Sequence, residues 1–250
     1  APFIIPYPGD VGMDNHLEIS LQAPSWAHWF GTDEMGRDLF SRILYGTRIS
    51  IVTAVVAITI AVLFGSALGA IAGTIGGWVD EVIMRVCDAF LSFPPLLLAI
   101  ATTAMLGPSL ENAQLSIIIS WWPWYTRLLR GQAISVKEKP FVKAAEAIGT
   151  KKLTIMFKHI VPNCISPIII QASMDMGSII LTIASLSFLG LGAQPPIPEW
   201  GLMVSTGKNY FMTAWWYGVY PGLAIFLAVL TFNLLGDGLR EILDPKTRKN

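Results

Sequence analysis

Lys143-Ala-Ala-Glu-Ala-Ile-Gly149, followed by His159-Ile-Val-Pro-Asn163, lies between two long apolar runs. Pro140 has a fixed φ and no amide hydrogen to leave unpaired, so it suits the first turn of a helix. Phe141 to Ile148 continues that helix, with Ala144 and Ala145 as a small-residue surface, and Gly149 is placed to end it in a left-handed conformation. Leu153 to Ile160 reads as a second helix, stopped by Pro162. The stretch is therefore a polar helical hairpin in an apolar chain. It needs something to rest on, either a partner protein or anionic lipid headgroups.

Outward from this hairpin, the chain reads as an all-α membrane protein. Of its 250 residues 53% are hydrophobic and 14% charged, against about a quarter charged in soluble domains; the mean hydropathy is +0.57. The length alone permits a soluble core. The arrangement points elsewhere, because apolar residues fall in runs long enough to cross hydrocarbon. Five candidate spans result: Ile49–Ile75, Ala89–Leu106, Leu115–Leu129, Ile165–Leu189 and Trp215–Leu235. The third is short and contains Pro123, but Trp121, Trp122, Trp124 and Tyr125 form an aromatic cluster of the interfacial kind. Continuous runs without period-2 alternation favour helices over a barrel.

Charge sets the orientation. The third-to-fourth connection holds Arg127, Arg130, Lys137, Lys139, Lys143, Lys151, Lys152 and Lys158, and the tail adds Arg240, Lys246, Arg248 and Lys249. The fourth-to-fifth connection has only Lys208. By the positive-inside bias the hairpin and the C-terminus are cytoplasmic, and the Lys208 loop is external. Alternation puts a Gly76–Asp88 turn inside and a Gly107–Gln114 turn outside. Residues 1–48 are then extracytoplasmic or interfacial, residues 49–237 form the membrane domain with a cytoplasmic loop at 131–163, and 238–250 form a cytoplasmic tail. The chain opens on Ala1 without a basic-plus-apolar signal segment, so the expectation is a preceding first helix, making six spans.

Inside the first span Gly65, Gly69, Gly73 and Gly77 recur every four residues, on one helical face where another backbone can approach. That face serves helix packing or, alternatively, a substrate groove. Pro94-Pro95, Pro123, Pro167 and Pro221 sit at or inside span ends, where kinks or breaks are expected. Asp175 is the ionisable residue deep inside an apolar span, with Gln171 one turn earlier on the same face. A carboxylate there must be paired, hydrated or neutral. It belongs either to a translocation pathway or to a structural hydrogen bond.

Larger blocks carry a resemblance. The hairpin is similar to the "EAA" cytoplasmic loop of ABC-importer permeases, although Lys143 stands at the usual glutamate position and Glu146 lies one turn later. Gly31-Thr-Asp-Glu-Met-Gly-Arg-Asp-Leu-Phe-Ser-Arg42, Tyr45–Ser50, Leu186–Gly201, Pro221–Phe226, Asn233–Arg240 and Leu243-Asp-Pro245 resemble the dipeptide/oligopeptide (DppC/OppC-like) group of those permeases. The resemblance implies a type I ABC importer transmembrane domain of six helices, five of them visible here. It implies a multi-pass subunit of the cytoplasmic (inner) membrane that moves di- or oligopeptides, with nickel complexes and glutathione-like peptides as alternative cargo. Its implied partners are a second homologous permease in a heterodimer, two ATPase subunits and an extracytoplasmic substrate-binding protein, besides the lipid bilayer. Lys143, Ala144, Ala145, Glu146, Gly149 and Pro162 are then the ATPase-coupling residues. ATP and Mg²⁺ belong to the partners.

Other chemistries find little support. Gly201 and Gly207-Lys208-Asn209 lack phosphate-loop spacing, and Asn replaces the hydroxyl that holds Mg²⁺. No HExxH or G-x-S-x-G occurs, so no catalytic residues are assigned. Cys87 and Cys164 have neither metal-ligand spacing nor a disulfide framework, and His16, His28 and His159 are scattered, so no metal is expected. Zero net charge does not suggest nucleic acid. Asp33/Arg37 and Asp38/Arg42 are spaced to pair at i, i+4 on an interfacial helix, or to form a docking surface for the binding protein. A secondary transporter working alone would show repeated halves and several buried charges, and neither is visible.

Overall fold

The computed structural model describes residues 5–243; Ala1 and the tail residues Asp244, Pro245, Lys246, Arg248 and Lys249 lie outside that range. The described residues are helix and loop, apart from one isolated antiparallel bridge between Thr32 and Asp38. The helices are α1 (Leu39–Ile75), α2 (Gly77–Leu91), α3 (Pro95–Leu106), α4 (Leu110–Lys137), α5 (Pro140–Ala147), α6 (Lys152–Ile155), α7 (Val161–Phe188), α8 (Trp200–Gly207) and α9 (Trp216–Leu243).

Several expected boundaries move, each for a local reason. Helix α1 starts at Leu39, not Ile49, because Asp38 caps it: its Oδ2 accepts from Ser41 N at 2.8 Å. The apolar run marks only the part of α1 beyond this polar start. The expected Gly76–Asp88 turn is helix α2 instead. That helix is amphipathic, and its Asp80 and Asp88 meet Arg130 and Arg127 of α4. The second expected span is thus two helices, α2 and α3, which meet at 85°. Pro95 begins α3, at a first-turn position where proline's missing N–H costs no bond.

Pro162 does not stop the second hairpin helix. A π-helical turn, Met156–Ile160, carries α6 straight into α7, and Val161 N–H bonds Met156 O, five residues back. A proline ring clashes with the carbonyl four residues before it; the widened turn lies where that crowding would fall. Pro123, Pro167 and Pro221 likewise lie inside α4, α7 and α9 without ending them. The α4 aromatics are also not simply interfacial. Tyr125 is fully buried, and Trp122 is nearly so, edge-on to Phe64 and Phe90, while Trp124 stays exposed.

Among the described residues, three helices are long and apolar enough to cross a membrane: Leu39–Ile75, Lys152–Phe188 and Trp216–Ile242. The bent α2–α3 pair makes a fourth if it is counted as one span. Helix α4 falls short by composition, since its apolar stretch is diluted by Asn112, Gln114, Ser116, Ser120, the Trp121–Tyr125 aromatics with Pro123, and Arg127.

The described residues form two compact units. One takes in 5–56, 100–116 and 176–231, and its core joins Leu39 and Ile43 to Trp200, Met203, Ala214, Trp216 and Tyr217. Trp200 fastens this core by donating Nε1–H to Ile43 O at 3.0 Å. The other takes in 57–99, 117–175 and 232–243, with a core from Ala70 through Leu129, Ala133 and Val142 to Ile160 and Ile168.

Candidate functional site

The α5 hairpin is built as its composition suggests. Pro140 occupies the first turn of α5 and Lys139 precedes it in extended conformation. At the far end Gly149 has φ +79°, Gly149 N–H bonds Glu146 O at 2.9 Å, and Thr150 N–H bonds Ala145 O at 3.0 Å. These are the paired bonds of a Schellman cap, which needs a residue tolerant of left-handed φ. No atom lies within 4 Å of where a Cβ on Gly149 would project. Backbone conformation therefore selects glycine here, not space.

The two faces of α5 differ. Val142 and Ala145 are buried against Val136, Ile155, Met156 and Ile160. The expectation that Ala144 and Ala145 share one outer surface is therefore corrected: Ala144 is exposed and Ala145 is 7% exposed. Packing at i and i+3 places Val142 and Ala145 on one stripe and leaves Ala144 off it. On the open side Lys143 reaches Glu138 at 3.2 Å and Glu146 at 3.9 Å. Four large apolar side chains also stand out: Phe141 at 42% exposure, Ile148 at 83%, Leu153 at 61% and Phe157 at 65%.

Asp175 on α7 is half-buried and accepts two hydrogen bonds, from Tyr125 Oη at 2.6 Å and from Gln171 Nε2 at 2.9 Å. The i, i+4 spacing on one helix brings Gln171 to it. Tyr125 comes from α4, and its aromatic setting in sequence hides that polar role.

Gly65, Gly69 and Gly73 form the tight face of α1 against α4. A Cβ on Gly65 would strike Trp122 O, one on Gly69 would strike Thr126 O, and one on Gly73 would lie 2.7 Å from Ala133 Cβ. Gly77 does not belong to this face. It lies past the end of α1, at the start of α2, with φ +62° and no neighbour at its Cβ position.

Charges cluster in the segment before α1. Arg37 Nε bonds Asp33 Oδ2 at 2.8 Å, and Arg42 Nε lies 3.4 Å from the same oxygen. Asp38 does not pair with Arg42; it takes His28 Nδ1 at 2.9 Å. Thr32 to Asp38 is a bridged loop, not a helix, so the expected i, i+4 pairing on an interfacial helix is half wrong. Arg42 further donates to Asp10 O and Pro196 O.

Glu199 was not singled out by sequence. It is fully buried, caps α8 by accepting from Leu202 N at 2.9 Å, and receives Ser50 Oγ at 3.3 Å. Burial pushes its carboxyl above the usual range, and hydrogen bonds from Gly201, Leu202, Ser187 and Ser50 offset part of that. Glutamate is not among the usual N-cap residues, so the sequence carries no strong signal for this cap. The pairs Asp80–Arg130, at 2.5–2.6 Å, and Asp88–Arg127 were likewise hidden in sequence, because their partners lie on different helices.

Comparison with known proteins identifies the family. Residues 65–249 match the family described as "Binding-protein-dependent transport system inner membrane component". The probable D,D-dipeptide transport system permease protein DdpC of Escherichia coli K12 is 51% identical over 92% of this chain and 77% of its own length. The dipeptide transport system permease protein DppC of Alkalihalophilus pseudofirmus is 51% identical over 91% and 75%. The glutathione transport system permease protein GsiD of Pectobacterium atrosepticum is 44% identical over 99% and 82%. Among solved structures, an inward-facing form of the MetNI methionine ABC transporter aligns with TM-score 0.64 at 15% identity, over 82% of this chain and 98% of that one. This last likeness concerns the fold. The chain belongs to the binding-protein-dependent transport system inner membrane components, as a multi-pass, all-helical, non-catalytic permease subunit of an ABC importer.

Proposed function

We propose that this permease moves dipeptides or short oligopeptides inward, delivered by an extracytoplasmic binding protein and driven by two ATPase subunits that dock on the α5 hairpin. The observation that carries the docking is the exposure of four large apolar side chains, Phe141, Ile148, Leu153 and Phe157, on the same hairpin as exposed Ala144. Large side chains at 42–83% exposure on a basic loop fit a protein groove. A hairpin resting on headgroups would share the basic charge but would not need the rigid Schellman cap. ATP and Mg²⁺ are bound by the ATPases, and a second homologous permease completes a type I heterodimer.

The positive-inside bias supports a cytoplasmic hairpin at 131–163 and an external segment before α1. The membrane domain extends from α1 to α9, with α4 crossing despite its charges because Arg127 and Arg130 are paired with α2. Asp175 and Gln171 lie on the peptide path as a weak polar contact. Dipeptide cargo is favoured by the higher identity to the dipeptide permeases, 51% against 44% for the glutathione permease.

The test is co-purification of this chain with its ATPase subunits, followed by uptake of labelled dipeptide and labelled glutathione into proteoliposomes. ATP-dependent dipeptide uptake that needs the binding protein is the expected result. Uptake without ATPases would sink the proposal, and exclusive glutathione uptake would change the cargo.

A further inference from the structure

A cavity of about 420 Å³ between α7, α8 and α9 is almost wholly apolar, and nothing marks its occupant. A smaller cavity, in the segment before α1, is chemically more specific.

This cavity, of about 240 Å³, is lined by Tyr7, Trp26, Trp29, Phe40 and Asp38. Its walls are aromatic and Asp38 supplies a carboxylate. Three of the four rings are held by neighbours: Tyr7 donates its hydroxyl to Ala27 O at 2.9 Å and packs on His28 at 4.9 Å, while Trp29 packs on Phe40 at 5.0 Å. Asp38 is fixed by His28 Nδ1 and by Ser41 N. Below them the buried Asp33–Arg37–Arg42 cluster stiffens the support. Trp26 nevertheless remains 98% exposed and Trp29 58% exposed. Aromatic faces attract a cation within about 6 Å of the ring centre, and a carboxylate adds a charge of the right sign.

The surrounding charge points the same way. Residues 1–48 carry six acidic residues, three arginines and no lysine. Asp10, Asp33, Asp38, Arg37 and Arg42 are buried, while Asp14, Glu18 and Arg48 are exposed and Glu34 is partly so. The surface is therefore net acidic and would repel anionic headgroups. We infer that the Tyr7–Trp26–Trp29–Phe40–Asp38 cavity receives a lysine or arginine side chain presented by the extracytoplasmic binding protein, and so anchors that protein on this subunit. The inference rests on the proposed external placement of the segment. An aromatic pocket on a net acidic surface resembles the anatomy of a binding hot spot.

The experiment uses the complete transporter in nanodiscs, with binding-protein affinity and stimulated ATPase activity as readouts. Trp26→Ala and Trp29→Ala should each weaken docking at least tenfold, while complex assembly and ATPase activity without binding protein stay at wild-type levels. Met13→Ala, at an exposed apolar position outside the cavity, should dock normally. Affinity of the wild type should fall as ionic strength rises. Unchanged docking in both tryptophan variants, beside normal binding-protein-dependent uptake by the wild type, overturns the pocket and leaves the permease function standing. Uptake that needs no binding protein overturns both. A fluorophore on Trp26→Cys that spin-labelled lipid quenches, and that added binding protein leaves unchanged, places the tryptophans in the bilayer surface and also overturns the pocket.

Discussion

Tyr125 on α4 donates its hydroxyl to Asp175 on α7 at 2.6 Å, so the carboxylate inside an apolar helix is tied to a neighbouring helix as well as to its own Gln171. Two roles separate by mutation. Tyr125→Phe removes the interhelical bond and should lower thermal stability by about 0.5–2 kcal/mol, the range of such bonds in membranes. Asp175→Asn keeps an acceptor for Tyr125 and removes the charge. It should leave assembly and basal ATPase activity intact while changing the rate of peptide uptake. Lowered stability with normal uptake in Asp175→Asn would make the residue purely structural.

The α5 hairpin offers a contrast between adjacent alanines. Ala144→Asp should leave the subunit folded and reduce co-purification of the ATPases, because Ala144 is exposed on the hairpin that carries Phe141, Ile148, Leu153 and Phe157. Ala145→Asp should destabilise the subunit itself, by several kcal/mol, because an unpaired charge would enter the core around Ile155 and Ile160. Gly149→Val forces a β-branched residue to φ +79°, at a cost of about 1–2 kcal/mol, and should loosen the ATPases with little effect on the bundle. Pull-down and thermal unfolding measured on the same preparations distinguish the three. Identical behaviour of Ala144→Asp and Ala145→Asp would contradict the two-faced helix.

Much of this was legible in the chain. Pro140 and Gly149 bracket α5 because their backbone preferences are local and strong, and the long apolar runs mark α1, α7 and α9. What escaped was tertiary. The polar start of α1 depends on the Asp38 cap, and α2 is helical with its aspartates paired to arginines across a helix boundary. Pro162 reads as a stop, but the π turn before it relieves the clash. Nor does periodicity separate Ala144 from Ala145: helical spacing gives a stripe, and only packing decides which stripe is inside. The aromatic cavity before α1 is similarly invisible, since Tyr7, Trp26 and Phe40 converge only through the fold of the segment.

Close approach of α1 and α4 makes a sharper stability prediction. Gly69→Leu places a side chain against Thr126 O and Leu129 Cβ, with helix backbone on one side and little room to move. Overpacking typically costs about 1–3 kcal/mol, and backbone contact puts this case at the upper end. Gly77→Ala, outside that face, should avoid any packing clash and show only the milder strain of its φ of +62°. Expression and melting temperature of the two variants provide the comparison. Equal loss in both would remove the special status of the α1–α4 face.

Asp80 and Arg130 invite a double-mutant cycle. Their bidentate contact at 2.5–2.6 Å binds α2 to the helix that leads into the hairpin. Asp80→Asn and Arg130→Gln should each destabilise α2 docking, and the double variant should recover part of the loss, because neither partner is left unpaired. Additive losses, measured by thermal unfolding, would mean that the pair carries no coupling.

Glu199 makes stability depend on pH in a direction that can be worked out. Burial raises its pKa in the folded protein, above the ordinary glutamate value of about 4.3. The folded state therefore binds the proton more tightly than the unfolded state. Its contribution is fully present below the unfolded pKa and is lost as pH rises through the folded one, after which the cost stays constant. Glu199→Gln cannot ionise, yet its amide oxygen can still accept from Leu202 N and so keep the α8 cap. The expected outcome is a wild type that loses melting temperature as pH rises above the ordinary glutamate value of about 4.3, relative to a Glu199→Gln variant that lacks this component. Near neutral pH the variant should match or exceed the wild type. The measurement is thermal unfolding of both proteins across that range in one detergent. Parallel curves at all pH values would show that the carboxyl is charged in the fold as freely as in the unfolded chain, and would remove the buried-acid account of this cap.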